Sequence, residues 1–275
     1  MSGASTLGII AGGGRLPAQL AEAYKATGRP CFVLTFAEAA NVGATLHAPH
    51  AVVRLGAVGE ALSKLREAGV VEVVLAGSIK RPSLASLRPD VAAAKLLAKL
   101  GVAFFSGDDA LLRAVIRFLE EEGFRVIAAQ DLISTLVAES GVYGHVSPTS
   151  EDRSDIALGL KAAKELGRLD IGQAVIVENG VVLGVEAAEG TDALISRCAS
   201  LKREARSGVL VKTKKPGQDE RADLPAIGPE TVERVHEAGL NGIAIEAGAS
   251  LILDRERLIA RADQLGMFVV GVKHG

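Results

Sequence analysis

The chain has 275 residues, of which 48% are hydrophobic and 3% aromatic, with no tryptophan and a formal net charge of −2. This length suffices for one large or two modest domains with buried cores. The scarcity of aromatic residues argues against modules that stack nucleic-acid bases, and the charge gives no general attraction to nucleic acid. The hydrophobic residues are mostly alanine, valine, leucine and isoleucine, which fits α/β layering with buried parallel strands. We therefore expect an α/β protein with no nucleic-acid partner.

The first half of the chain alternates apolar runs with helical patterns. We predict strands at Leu7–Ala11, Cys31–Phe36, Ala51–Leu55, Val70–Ala76 and Phe124–Ala129, and helices at Leu16–Thr27, Val58–Ala68, Val91–Leu100 and Asp109–Glu122. Strands that alternate with helices are joined by right-handed crossovers, so the pattern predicts a Rossmann-like, mainly parallel sheet with helices.

The alternation of predicted strands and helices stops between Ser140 and Asp152, where SGVYGHVSPTSED is rich in glycine, serine and proline. We place the domain boundary there, giving an N-terminal domain over 1–145 and a C-terminal α/β domain over 146–275. The second domain should contain a β-hairpin, because Asn179-Gly180 separates two β-rich runs. Its other predicted elements are the helices Asp155–Leu166, Asp192–Ser200, Pro229–Ala238 and Arg255–Leu265, the strands Val209–Thr213 and Met267–Val272, and an apolar stretch at Gly242–Ala247.

Three glycines, Gly12, Gly13 and Gly14, follow the first predicted strand and precede a helix. Glycine lets the backbone approach a ligand closely, and a helix N-terminus offers N–H groups to an anion. Pro17 stands where the dinucleotide fingerprint has a third spaced glycine, so a phosphate or nucleotide turn is favoured over dinucleotide redox chemistry. A tight turn without a ligand is the alternative.

Polar residues also follow the fourth predicted strand, in AGSIKRP. Ligands of open parallel sheets bind beyond the carboxyl ends of strands, so Ser78, Lys80 and Arg81 are placed for contact, with a solvated loop as the alternative. Asp108 and Asp109 begin a helix. One of them is expected as its N-cap, which leaves the other for a metal, ribose or amine.

Oxygen-bearing side chains cluster in LDIGQAV and EAAEGTDALI, where they would suit a hard cation such as Mg²⁺. They are Asp170, Gln173, Glu186, Glu189, Thr191 and Asp192. Their spacing matches no recognised metal motif, and Thr191 or Asp192 can equally cap the helix that begins there.

The most charged stretch is VLVKTKKPGQDERADLPAIG, over Val209–Gly228. Its cations suit a phosphate-rich ligand, and its carboxylates suit a metal or a catalytic water. The charged residues are Lys212, Lys214, Lys215, Asp219, Glu220, Arg221 and Asp223. The mixture predicts a site that binds and hydrolyses phosphates, with an ordinary solvated loop as the alternative.

Taken in order, these motifs make the chain resemble the LpxI family of UDP-2,3-diacylglucosamine pyrophosphatases over nearly its whole length. The motifs are GIIAGGGRLP, LAGSIKRP, GDDALLR, GRLDIGQAVIV, EAAEGTDALI, KTKKPGQDERADLPAIG and GIAIEAG. The resemblance implies hydrolysis of UDP-2,3-diacylglucosamine to UMP and 2,3-diacylglucosamine 1-phosphate (lipid X) in lipid A biosynthesis, with a divalent cation, usually Mg²⁺. It also implies a ligand bound between the two domains.

The resemblance links the aspartate of the DLPxIG motif, Asp223, to catalysis. We predict Asp223 as the catalytic residue and, with Asp192, as a metal ligand. The predicted substrate-binding residues are Gly12, Gly13, Gly14, Ser78, Arg81, Asp108, Gln173, Thr191, Lys212 and Lys215. Lys80 is omitted because SIKRP is the least regular match to the family.

The predicted partner is a lipid-linked nucleotide sugar. We expect a cytoplasmic protein, because two distant cysteines indicate no disulfide framework and no apolar run approaches a membrane span. Transient contact with the cytoplasmic face of the inner membrane and a homodimer are further candidates. The alternative functions are a non-catalytic binder of nucleotide sugars or lipids and a Rossmann-type oxidoreductase, for which Glu38 is the candidate ribose ligand.

Overall fold

The computed structural model describes residues 5–39, 48–79, 87–101, 108–202, 207–221 and 224–273, and at residue 108 the backbone alone. The predicted site residues Arg81 and Asp223 and the Asp108 side chain lie outside this part. The chain forms two compact units, Met1–Ser134 with Asp219–Asp223, and Thr135–Gln218 with Leu224–Gly275.

The N-terminal unit is built on a parallel sheet of strand order β3-β2-β1-β4-β5. Its strands are β1 (Thr6–Ala11), β2 (Cys31–Phe36), β3 (His50–Val53), β4 (Val70–Ala76) and β5 (Arg125–Val126), and its helices are α1 (Leu16–Ala26), α2 (Val58–Glu67), α3 (Val91–Leu100), α4 (Asp108–Glu121) and α5 (Ala129–Leu132). The predicted Rossmann-like sheet is therefore confirmed, and the strand order reverses between β1 and β4.

Apolar strands hold the centre of this sheet because both of its faces are covered by helices. Leu20 of α1 packs in one cluster with Leu7 and Ile9 of β1. Leu65 of α2 and Ile116 of α4 belong to a second cluster. Near-continuous apolar runs such as LGIIA are typical of strands buried on both faces.

The C-terminal unit contains a mixed sheet of strand order β6-β13-β11-β9-β7-β8, in which β9, β11 and β13 run parallel. Its strands are β6 (Gly141–Tyr143), β7 (Ala174–Glu178), β8 (Val181–Val185), β9 (Val209–Lys212), β11 (Gly242–Glu246) and β13 (Phe268–Val272), and a separate pair is formed by β10 (Ala226–Ile227) and β12 (Leu251–Ile252). Its helices are α6 (Ser150–Arg168), α7 (Thr191–Ala199), α8 (Pro229–Glu237) and α9 (Arg255–Gln264).

The predicted β-hairpin is confirmed as the antiparallel pair β7–β8. Asn179 and Gly180 both have positive φ, as a two-residue hairpin turn requires. Asp155 of α6 fixes this turn by accepting hydrogen bonds from the Asn179 and Gly180 N–H groups at 2.8 and 2.7 Å.

The two units divide at Ser134/Thr135 rather than at the predicted 145/146. Gly141–Tyr143 forms β6, which pairs antiparallel with β13, so this glycine-containing segment belongs to the C-terminal sheet. Helix α6 begins at Ser150, earlier than the predicted Asp155. Thr149 is its N-cap and forms a capping box with Asp152 in the first turn. Of the helices in the described residues, none is long and apolar enough to cross a membrane.

Candidate active site

The loops after β1 and β4 hold each other at the point where the strand order reverses. Gly13 donates its N–H to the Ser78 carbonyl at 2.7 Å, and Ser78 returns a bond to the Gly13 carbonyl at 3.0 Å. A Cβ at Gly12 would lie 2.4 Å from the Ser78 oxygen, and a Cβ at Gly77 would lie 2.3 Å from the Gly13 oxygen. Glycine is therefore required at both positions for the loops to approach, and we call this contact the glycine clasp.

The glycine clasp changes the interpretation of the predicted phosphate turn. The N–H groups of Gly12 and Gly13 donate to the carbonyls of Ala76 and Ser78, so the tight-turn alternative accounts for these two glycines. Gly14 differs, because a Cβ there would meet no described atom within 4 Å. Ligand contact by Gly12, Gly13, Gly14 and Ser78 stays a prediction, and Gly14 is the residue of this set with open space beside it.

The acidic part of the charged stretch lies against helix α4 in the N-terminal unit. Arg221 donates Nε and Nη2 to the two carboxylate oxygens of Asp219 at 3.0 and 2.8 Å, and Nη1 to Glu120 of α4 at 2.7 Å. The Asp219 N–H lies 3.4 Å from the carboxylate of Asp109, which pairs with Arg113 at 2.8 Å. These bonds hold the segment 219–221, which directly precedes Ala222 and Asp223 in the chain.

This ion-pair network also shifts the titration of its members. The side-chain hydrogen bonds from Arg221 lower the pKa of Asp219 below its usual value, and the same carboxylate raises the pKa of Arg221. Asp219 is therefore ionised throughout the neutral range, so it holds the segment 219–221 as a carboxylate.

The basic part of the stretch belongs to the C-terminal unit. Lys212 is buried at the end of β9, and its Nζ lies 3.1 Å from the carbonyl oxygen of Ala226, in the DLPAIG motif. Lys215 donates its Nζ to Asp170 at 2.6 Å, and Asp170 adopts a positive φ at the turn after α6. The structure therefore joins the predicted residue Lys215 to Asp170, which the sequence had suggested as a cation ligand.

Glu186 links two other predicted residues. One of its oxygens accepts the Gln173 N–H at 2.9 Å, and the other accepts the Thr191 hydroxyl at 2.6 Å. The Gln173 carbonyl in turn accepts the Thr213 N–H at 2.9 Å, next to Lys212. The structure thus brings Gln173, Thr191 and the basic stretch together.

Two buried polar atoms in this cluster lack a partner within the described residues. They are the Gln173 side-chain oxygen and the hydroxyl of Thr213, a residue with no exposed surface. Other buried side-chain atoms of the described residues, such as the hydroxyls of Tyr24 and Ser250, are in the same state, so these two atoms are compatible with a ligand or a water contact. Sequence reasoning missed Thr213, although a threonine between lysines at the end of an apolar strand was a usable signal.

Of the two predicted magnesium ligands, Asp192 belongs to the described part of the chain and Asp223 does not. Asp192 pairs with Arg234 of α8, and its side chain is 64% exposed. Outside the undescribed segments, no group of three or more His, Cys, Asp or Glu side chains is placed to hold a metal. The structure therefore gives Asp192 an arginine partner, whereas metal binding by Asp192 and Asp223 stays a prediction.

These features define a two-unit α/β protein whose C-terminal unit gathers lysines and unpartnered polar atoms suited to a phosphate-bearing ligand. Residues 6–136 match the LpxI N-terminal domain and residues 139–270 the LpxI C-terminal domain. Over 272 residues the chain is 45% identical to UDP-2,3-diacylglucosamine pyrophosphatase LpxI of Caulobacter vibrioides, covering 97% of both chains. The chain belongs to the LpxI family.

Two solved structures show only weak similarity to the chain. CobK precorrin-6A reductase is 12% identical with a TM-score of 0.34, covering 99% of this chain and 88% of that one. N5-carboxyaminoimidazole synthase from Aspergillus clavatus is 14% identical with a TM-score of 0.25, covering 74% of this chain and 46% of that one. Scores this low support no conclusion about fold or function.

Proposed function

We propose that this chain hydrolyses the pyrophosphate bond of UDP-2,3-diacylglucosamine, giving UMP and 2,3-diacylglucosamine 1-phosphate in lipid A biosynthesis. The activity named for the Caulobacter relative supports this substrate, given 45% identity over 97% of both chains. The structural observation that supports it most is the pair of unpartnered polar atoms, on Gln173 and Thr213, beside the basic stretch. The pyrophosphate of such a ligand offers negative charge to the lysines and acceptor oxygens to the Thr213 hydroxyl, and the sugar hydroxyls offer donors to the Gln173 oxygen.

Hydrolysis of a phosphoanhydride needs negative charge stabilised on the phosphoryl oxygens, a positioned water and a stabilised leaving phosphate. We assign phosphate binding to Lys212 and Lys215 and orientation by hydrogen bonds to Gln173 and Thr213. The charge of Lys215 is balanced by Asp170 at 2.6 Å in the free protein. The phosphate therefore has to share this ammonium with Asp170. Glu186 acts indirectly, because it fixes the Gln173 backbone and Thr191.

Asp223 is proposed as the catalytic carboxylate on the basis of the family motif. It follows the segment 219–221, which Arg221 ties to Glu120 and Asp219. It also precedes Ala226, whose carbonyl contacts Lys212. The described residues on both sides of Asp223 are thus anchored by charged side chains.

Dependence on a divalent cation is proposed from the family resemblance alone, because the described residues do not form a magnesium site. A cytoplasmic location is proposed from the sequence, and transient contact with the inner membrane surface is proposed from the lipid nature of the substrate. A homodimer is kept as a proposal without structural support.

The proposal is tested by incubating the purified protein with UDP-2,3-diacylglucosamine and measuring UMP by chromatography, with Mg²⁺ and with a chelator. We expect UMP and the lipid phosphate in equal amounts, with release lost in the chelator and restored by Mg²⁺. Tight binding of the substrate without UMP release under both conditions would favour the non-catalytic binder instead.

A further inference from the structure

A buried ion pair lies directly behind the basic stretch. Lys164 of α6 donates its Nζ to both carboxylate oxygens of Glu246, at 2.7 and 2.6 Å, and each side chain is only 10% exposed. Glu246 ends β11, where Ile245 pairs with Lys212 of β9. The pair therefore lies at the carboxyl ends of two parallel strands, where open sheets bind ligands.

Both members of this pair also bind the backbone of a single residue, Lys214. The Lys164 Nζ donates to the Lys214 carbonyl at 2.9 Å, and Glu246 Oε2 accepts the Lys214 N–H at 2.8 Å. A bidentate hold of this kind fixes the orientation of the chain at Lys214. Thr213 and Lys215 flank that residue directly.

Helix α6 and the turn that follows it support the same loop at two further points. A Cβ at Gly167 would lie 2.9 Å from Pro216 and 3.1 Å from the Lys215 Cα, so the loop packs directly on the helix backbone. Asp170, three residues later, accepts the Lys215 Nζ. Lys164 and Gly167 are three residues apart and lie on one side of α6, and Asp170 lies in the turn just after the helix.

A buried ion pair is an inefficient way to stabilise a fold, because desolvation of the charges offsets their attraction. Apolar residues of similar size would pack α6 on the sheet at least as well. What they would not supply is a donor and an acceptor directed at the backbone of one residue. The geometry of the pair is therefore better explained by the position of the loop than by stability.

We propose that Lys164 and Glu246 are positioning residues for the pyrophosphatase reaction. They hold the Lys214 backbone so that Lys212, Thr213 and Lys215 present their polar groups to the pyrophosphate. This role rests on the proposed function. Neither residue touches the substrate itself.

The test uses Lys164→Met, Glu246→Gln and the double variant in the full-length protein. UMP release from UDP-2,3-diacylglucosamine, the melting temperature and hydrogen exchange at the Lys214 amide are measured for each. We expect kcat/KM to fall about 10- to 100-fold in Lys164→Met and in the double variant, because small misplacements of binding groups are costly to catalysis. Glu246→Gln should lose less, because its amide oxygen can still accept the Lys214 N–H and Lys164 can still donate to the Lys214 carbonyl. In Lys164→Met and the double variant, exchange at Lys214 should accelerate.

The double variant separates positioning from folding. Removing both charges leaves no unpaired buried ion, and the amide oxygen that Glu246→Gln introduces can still accept the Lys214 N–H. The melting temperature of the double variant should therefore return toward that of the wild type. Its activity should stay low because the donor to the Lys214 carbonyl is absent. Recovery of wild-type kcat/KM in the double variant would overturn the proposal.

Asp155→Asn is the matched control. Asp155 lies on the same helix, is 3% exposed and holds the backbone of a different loop, the β7–β8 turn. It should lower the melting temperature while leaving kcat/KM and Lys214 exchange within about twofold of the wild type. An equal loss of activity in Asp155→Asn would contradict the proposal, because it would show that Lys164 and Glu246 affect activity only by stabilising the fold.

The exchange measurement keeps this proposal separate from the proposed function. If the wild-type protein releases no UMP, the pyrophosphatase assignment fails, while exchange at Lys214 still reports whether the pair holds the loop. Unchanged exchange in Lys164→Met would contradict the positioning role, whatever the substrate is.

Discussion

At the scale of single residues, the most informative feature is the Thr213 hydroxyl. It is fully buried without a partner in the described residues, and the side-chain oxygen of Gln173 is in the same state. A buried polar group without a hydrogen bond costs about 1–3 kcal/mol. A ligand that supplies the missing bonds recovers part of this free energy on binding.

Thr213→Val removes the hydroxyl and nearly preserves the shape of the side chain. We expect the free energy of unfolding of the free protein to be unchanged or to rise by about 1 kcal/mol, because an unsatisfied group is removed. Affinity for the substrate should fall about 5- to 10-fold, corresponding to one hydrogen bond. Chemical denaturation and calorimetric titration measure the two effects. A destabilised variant with unchanged affinity would show that the hydroxyl serves the fold.

Two glycines with similar backbone angles, Gly77 in the glycine clasp and Gly14 just beyond it, should respond differently to substitution by alanine. Gly77 has φ +83° and would place a Cβ 2.3 Å from the Gly13 oxygen, whereas Gly14 has φ +92° and open space. We expect Gly77→Ala to lower the free energy of unfolding by about 3 kcal/mol or more, through strain and overlap together. Gly14→Ala should lower it by about 1–2 kcal/mol, through backbone strain alone. Equal losses measured by denaturation would contradict the clasp.

At the scale of elements, hydrogen bonds and an ion pair hold the segment 219–221 on α4. Asp219 accepts hydrogen bonds from the Arg221 side chain and from the Arg221 N–H. Because the pKa of Asp219 is lower in the folded protein than in the unfolded chain, its carboxylate contributes stability above about pH 4. That contribution is lost as the pH falls through the folded pKa.

Asp219→Asn should therefore lower the free energy of unfolding by about 1 kcal/mol at pH 7, a modest value because Arg221 is partly exposed to solvent. The difference from the wild type should shrink below about pH 4 and vanish once the pH lies below the folded pKa of Asp219, where both proteins lack the charge. Denaturation measured across this range, with hydrogen exchange at the Arg221 amide, checks the effect. A difference that is constant with pH would contradict the ion-pair explanation.

The longer helices and strands could be predicted from the sequence, whereas the short strands β6, β10 and β12 could not. Runs such as LGIIA and AVIVE, and the Asn179-Gly180 turn, carry a local signal because burial dictates their apolar residues. Strands β6, β10 and β12 have only two or three residues each and are defined by their partners. The early boundary of the C-terminal unit was missed for this reason, since β6 depends on pairing with β13, far along the chain.

At the scale of the whole molecule, the charged stretch 209–228 contributes to both compact units, because Asp219–Asp223 groups with the N-terminal one. Its sequence indicated phosphate chemistry, and the family motif singled out Asp223. The pairing of Lys215 with Asp170 and the bonds from Lys164 and Glu246 to Lys214 required the structure. Such contacts join residues 32 to 50 positions apart, which no local pattern encodes.

The central claim is that this chain is a pyrophosphatase whose catalytic carboxylate is Asp223. The most direct test compares UMP release from UDP-2,3-diacylglucosamine by the wild type and by Asp223→Ala, with substrate affinity measured for both by calorimetry. We predict that Asp223→Ala binds the substrate but releases UMP at least about 10³-fold more slowly, as expected for loss of a group that acts in the transition state. Hydrolysis by Asp223→Ala at the wild-type rate would contradict the account.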